Sequence, residues 1–202
     1  MQLQRPFAAL TPTVDADVLA DLANLRADRP HPLQGIVERT GRSRTGVLKA
    51  LERLVSQGIV LYDVIGGVKT YRLNDGHLLA EEIIAIGGTR TRFLERLRQS
   101  CAHIPVEYAA LFGSAARGTM HADSDIDLFF AVTTEGRAAA EDRIFDLANA
   151  ARVWTGNEVS PIIYDATNID PQDPLISSIA AEGIPLTEDR GWLRARIRKA
   201  RS

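Results

Sequence analysis

The stretch Leu111 to Leu128, LFGSAARGTMHADSDIDL, constrains this chain more than any other. The apolar run Ala109-Ala110-Leu111-Phe112 reads as a buried strand and Gly113-Ser114 as a sharp turn. Ile126 to Val132 reads as a second strand, opened by Asp125 and Asp127. Residues two apart in a strand point to one face, so both carboxylates aim at one spot with Ile126 and Leu128 buried behind them. Two like charges on one face, with no basic residue between them, repel unless a cation sits there. Hard oxygen ligands of this kind suit Mg2+ (or Mn2+), which takes one or two carboxylates plus substrate phosphates. Gly113 lets the backbone approach a phosphate, and Ser114 starts a short helix whose N–H groups face an anion. An isolated Asp-x-Asp is equally a solvated strand face. What makes the pattern specific is the strand, the Gly-Ser turn and the twelve-residue step from Gly113 to Asp125.

The motifs Gly113-Ser114, Ala116-Arg117-Gly118 and Ser124-Asp125-Ile126-Asp127-Leu128 resemble the hallmark of the DNA polymerase beta-like nucleotidyltransferase superfamily, in particular its minimal bacterial and archaeal members. The resemblance implies that Gly113, Ser114, Arg117 and Ser124 belong to a nucleotide triphosphate site. It also implies that Asp125 and Asp127 hold the divalent metals that bridge phosphate and nucleophile. Arg117 reads either as a clamp on phosphates or as an ion-pair partner of Asp123 or Asp127. His121 reads as an exposed loop residue.

Length and composition bound the rest. A chain of 202 residues has room for one large domain or two small ones, and its 45% hydrophobic and 25% charged content is that of a globular protein. No apolar run approaches a membrane span, and no basic-then-apolar leader opens the chain. The single Cys101 forbids an internal disulfide and fits a reducing cytoplasm. Net charge is -2, which does not make the whole molecule a nucleic-acid sponge.

The segment before the motif has its own pattern. Pro6 and Pro12 mark an extended arm. Asp15 is placed to cap a helix to about Arg26, and Pro30 and Pro32 break it. A helix follows over Leu33 to Arg39, then the turn Thr40-Gly41-Arg42, then a third helix capped by Ser43 and ended by Gly58. Ile59 to Ile65 and Val68 to Leu73 flank Gly66-Gly67, a strong hairpin signal. Three helices and a hairpin resemble bacterial winged-helix regulators, whose third helix enters the major groove of double-stranded DNA. Arg42, Ser43, Arg44, Thr45, Lys49 and Arg53 line the start and outer side of that helix, opposed only by Glu52, and Lys69 follows the wing tip. Such residues serve base edges and phosphates; the same face also suits a protein-interaction module. A winged helix reading a palindrome works as a homodimer.

These readings give an α/β (α+β) chain. Residues 1–75 are a winged helix-turn-helix, 76–102 a helical joint broken near Gly87-Gly88, 103–190 a small mixed-sheet nucleotidyltransferase fold, and 191–202 a basic C-terminal helix. In the joint, Leu78, Leu79, Ile83 and Ile84 supply apolar positions; in the helix from Glu135 to about Val153, Ile144, Phe145 and Leu147 face inward. One departure from the superfamily bears on activity. Active members place a third carboxylate on the next strand, and the apolar positions put Ser160 there. Serine is a neutral and poor substitute for a carboxylate at Mg2+. Glu158, two residues earlier on the same side, is the alternative third acid, and Pro161 points to an edge strand or a bend.

Three functions compete. The chain is a DNA-binding transcriptional regulator with a nucleotide-binding, weakly active or inactive second domain. Otherwise it is a metal-dependent enzyme modifying a protein, RNA or small-molecule hydroxyl, or the antitoxin acting on a partner toxin.

Overall fold

The computed structural model describes residues 1–25 and 29–200, and the chain folds into two compact units. One comprises Gln2 with Gln4–Arg90; the other comprises Met1, Leu3 and Thr91–Ser202.

The N-terminal unit contains a 3-10 turn at Pro6–Ala9, then α1 (Val14–Asn24), β1 (His31–Pro32), α2 (Leu33–Thr40) and α3 (Arg44–Ser56). The hairpin β2 (Val60–Ile65) and β3 (Val68–Leu73) follows, and α4 (Ala80–Gly87) closes the unit. Thr13, not Asp15, caps α1: its Oγ1 accepts the Ala16 N–H at 3.4 Å. Asp15 sits instead in the first turn, where the positive helix end favours acids. Arg26, to which the sequence pattern extended this helix, lies outside the described residues. Ser43 caps α3, accepting the Gly46 N–H at 3.2 Å. Gly66 and Gly67 have φ of 57° and 79°, the paired positive values of a tight hairpin turn. The short β1 is unexpected, because two prolines read only as helix breakers. It pairs at the edge of an antiparallel sheet ordered β1-β3-β2, where a missing N–H is tolerated.

Val18, Leu22, Ile36, Val47, Leu51, Val60 and Tyr71 form the buried centre of this unit. The joint is two helices, α4 and α5 (Thr89–Cys101). Among the apolar positions of the joint, Leu78, Leu79 and Ile84 are exposed, Leu78 to 95%. A two-turn helix reaches the core along one stripe only, and here that stripe is Ala80, Ile83 and Gly87.

The C-terminal unit continues with β4 (Tyr108–Phe112), α6 (Gly113–Arg117), β5 (Ile126–Val132) and α7 (Arg137–Thr155). It ends with β6 (Val159–Asp165), α8 (Pro174–Glu182), β7 (Ile184–Pro185) and α9 (Trp192–Ala200). Arg201, part of the expected basic tail, lies outside the described residues. The sheet order is β6-β5-β4-β7, with β5 and β6 parallel and the other pairs antiparallel. The parallel pair needs a crossover, which α7 supplies.

Alternation along β5 builds two cores. Ile126, Leu128 and Phe130 pack with Phe93, Leu97, Ile144 and Leu147. Phe129 and Ala131, on the opposite face, pack with Tyr108, Ile176, Ile179 and Leu193. Phe145, expected inward, is 52% exposed, because α7 also buries a single stripe. Among the described residues no helix is long and apolar enough to cross a membrane.

Candidate active site

β4 and β5 run antiparallel with Phe112 opposite Asp127, so the chain leaves β4 at Gly113 right beside that carboxylate. Gly113 has φ of 68°, and a Cβ there would run into Asp127 Oδ2. Only glycine meets both demands. The five-residue α6 follows and ends at Gly118, whose N–H returns to the Ser114 carbonyl. Ala115 and Ala116 are buried, while Ser114 is half-buried beside the turn.

Asp125 is exposed and Asp127 half-buried, at the open end of the face that carries Phe129 and Ala131. Partial burial, then the nearby Asp125 charge, push the Asp127 carboxyl above its ordinary range, and Arg117 partly offsets this. Such an acid pair is electrostatically incomplete and favours a cation. Arg117 forms no ion pair with Asp123 or Asp127, the second of the two roles read for it in the sequence. Its Nη1 lies 3.1 Å from Glu182 Oε2, at the end of α8. Both groups are exposed, and such a pair contributes about 0–1 kcal/mol.

β6 lies along β5 in parallel register, with Ser160 the direct partner of Asp127 and Val159 that of Ile126. Ser160 is therefore on the carboxylate face, and β6 is the edge strand that Pro161 requires. Glu158 precedes β6. Its side chain is 74% exposed, with its carboxylate 3.7 Å from Arg152 Nη1 near the end of α7. Among the described residues no group of three or more His, Cys, Asp or Glu is placed to hold a metal. The donor set is thus two carboxylates, which suits an ion that completes its shell with water and phosphate oxygens.

The loop before the acids is held by residues that sequence reasoning assigned elsewhere or passed over. The Ser124 hydroxyl accepts the His121 N–H at 2.8 Å, closing a turn within the loop. Asn157 is only 4% exposed and donates from Nδ2 to the carbonyls of Ala122 and Ser124, at 3.0 and 2.9 Å. An Asn beside Gly156 reads as turn punctuation, and no local signal marks it as a loop clamp.

In the N-terminal unit, Ser43, Arg44, Thr45, Lys49 and Arg53 are exposed and Arg42 is half-buried. The arginines are opposed by more than Glu52. Arg42 Nε lies 2.6 Å from Asp17 Oδ2, and Asp17 also holds Arg5 at 2.8 Å. Arg53 pairs with Asp15 at 2.5 Å. Arg44 reaches Gln34 Oε1 at 3.4 Å. Lys69 Nζ sits 4.0 Å from the centroid of the Tyr62 ring. The hairpin tip is apolar: Val64, Ile65 and Val68 are all exposed.

No curated protein matches the sequence. Among solved structures, one described as a toxin-antitoxin crystal structure with AMP-PNP aligns at 17% identity and a TM-score of 0.37. That alignment covers 55% of this chain and 86% of the other. Residues 95–190 match the family model described as polymerase beta, nucleotidyltransferase, and the domain built on them is of nucleotidyltransferase type.

Proposed function

We propose that the C-terminal unit binds a nucleotide triphosphate together with Mg2+ or Mn2+ and transfers its nucleotidyl group slowly or not at all. In this reading the N-terminal unit is a winged helix-turn-helix that binds double-stranded DNA, and the chain is a transcriptional regulator. The observation that carries the first part is Gly113 seated against Asp127: the backbone turn that would meet phosphates and the carboxylate that would meet the cation are one structural feature. Asp125 and Asp127 would hold the metal, which supplies charge neutralisation for the triphosphate. Gly113 and Ser114 would face the phosphates, with Arg117 beside them. Ser160 in register with Asp127 supports slow turnover, because a neutral hydroxyl replaces the acid that would complete a second metal.

The experiment is calorimetry with each nucleotide triphosphate, with and without Mg2+, on wild type and on Asp125→Asn and Asp127→Asn. Metal should tighten binding, and that metal-dependent gain should be lost in both variants. Binding indifferent to either substitution would remove the assignment. Incubation with labelled triphosphate and cell extract tests transfer to a protein, RNA or small-molecule hydroxyl.

A second reading gives the N-terminal unit a protein partner, as in an antitoxin that handles a toxin. The exposed Val64, Ile65 and Val68 favour it, because a DNA wing gains more from basic residues at its tip. A footprint on the chain's own promoter favours the regulator; a stable complex with a co-expressed neighbouring gene product favours the antitoxin.

A further inference from the structure

We infer that Asn157 is a positioning residue for the carboxylate pair, an inference that rests on the nucleotide site proposed above. The segment from Gly118 to Asp125 has no regular structure, yet it must deliver two acids to the head of β5 in fixed orientation. The Ile126 N–H bonds to the Glu158 carbonyl at 2.9 Å, which anchors the segment from its C-terminal side. Asn157, the residue before Glu158, anchors it from the other side by bonding Ala122 and Ser124 together. The three bonds come from neighbouring positions of one strand approach, so the acids are registered against β6 before β5 begins.

The chemistry at position 157 admits few substitutes. Two carbonyl oxygens face the side chain, so only a group with two donors satisfies both. The amide orientation is set from the far side, where Asn157 Oδ1 accepts from the Met1 α-ammonium. The backbone N–H of Asn157 bonds Thr155 Oγ1 at 3.3 Å, and Thr155 Oγ1 bonds the Ala151 carbonyl at 2.8 Å, tying the clamp to the last turn of α7. An aspartate of the same shape would present oxygens to oxygens and release the segment. Partners behind a metal ligand typically account for about 10- to 100-fold of its affinity.

The test uses the full chain with Asn157→Asp, and Asn157→Ser as a second, neutral variant should the first not fold. Three quantities are read: nucleotide triphosphate affinity without metal, the gain on adding Mn2+, and hydrogen exchange at amides 121–125. Both variants should keep the metal-free affinity and lose about 10- to 100-fold of the Mn2+-dependent gain. Exchange at 121–125 should rise while the amides of Leu128 to Ala131 stay protected. A residue that only stabilised the fold would lower both affinities together. An unchanged Mn2+ gain with unchanged exchange overturns the inference. A wild-type chain without any Mn2+-dependent binding sinks the nucleotide site instead, and the exchange result then decides by itself whether Asn157 holds the segment.

Discussion

Gly113 and Asp127 share one space: the glycine's missing side chain is where the carboxylate lies. Gly118, five residues on, also has positive φ, at 75°, but has nothing within 4 Å of a built Cβ. The two glycines separate backbone strain from collision. Gly118→Ala should cost about 1–2 kcal/mol, the price of a left-handed alanine. Gly113→Ala should cost more, because Asp127 must also move, and should abolish triphosphate binding while Gly118→Ala spares it. Denaturant unfolding and calorimetry on the two variants check this; equal losses would show that the Asp127 contact is immaterial.

Asp127 sets a pH dependence whose sign follows from its raised pKa. The folded, metal-free protein holds this proton more tightly than the unfolded chain does. Its contribution to stability is therefore full below the ordinary aspartate value of 3.8 and is lost as pH rises through the higher folded value. At neutral pH the ionised Asp127 opposes folding. Asp127→Asn should accordingly melt higher than wild type at neutral pH, with the difference closing on acidification. Thermal scans across that range are the measurement, and a variant that melts lower throughout contradicts the repulsion.

Much of this was legible in the sequence, for physical reasons that differ by residue. The strand, turn and strand around Gly113 were readable because their signals are local: apolar run, glycine, alternating carboxylates. The Asp127–Ser160 register was readable by aligning the apolar positions of β6 with those of β5, which put Ser160 opposite the acids. The ion pairs were not. Arg42 meets Asp17 and Arg117 meets Glu182 across 25 and 65 residues, and exposed charges carry no periodicity that names a partner. Asn157 was missed for a related reason: its value lies in two carbonyls more than thirty residues away.

The paired arginines refine what DNA binding should look like. Among the described residues Lys49 and Arg44 are exposed and form no ion pair with an acid, whereas Arg42 shares Asp17 with Arg5. Replacing Arg44 and Lys49 with Ala should lower the salt slope of duplex binding by about 1.8 units of log K per log salt, near 0.9 for each lost phosphate contact. Adding Arg42→Ala should lower it by less than a further unit, since that charge is already compensated. Titrations at several salt concentrations give the slopes. Duplex affinity untouched by all three changes, with partner binding lost on Val64→Lys, would assign this unit to a protein.

Turnover rests on Ser160. Phosphoryl-type transfer draws nearly all its acceleration from position and electrostatics, so a missing carboxylate is felt at the nucleophile before it is felt at the triphosphate. The register places the Ser160 Cα beside that of Asp127, and the edge position of β6 leaves room for a longer side chain. Ser160→Asp should therefore raise nucleotidyl transfer by about tenfold or more, which is roughly 1.4 kcal/mol off the barrier. Glu158 is the competitor, and its carboxylate lies beside Arg152. Glu158→Gln should leave both triphosphate binding and transfer unchanged. Single-turnover assays with labelled triphosphate on wild type and the two variants distinguish the cases. Transfer lost in Glu158→Gln would make Glu158 the third acid and the chain a working enzyme. Transfer absent from wild type and restored by Ser160→Asp would make the domain a triphosphate sensor that one carboxylate separates from catalysis.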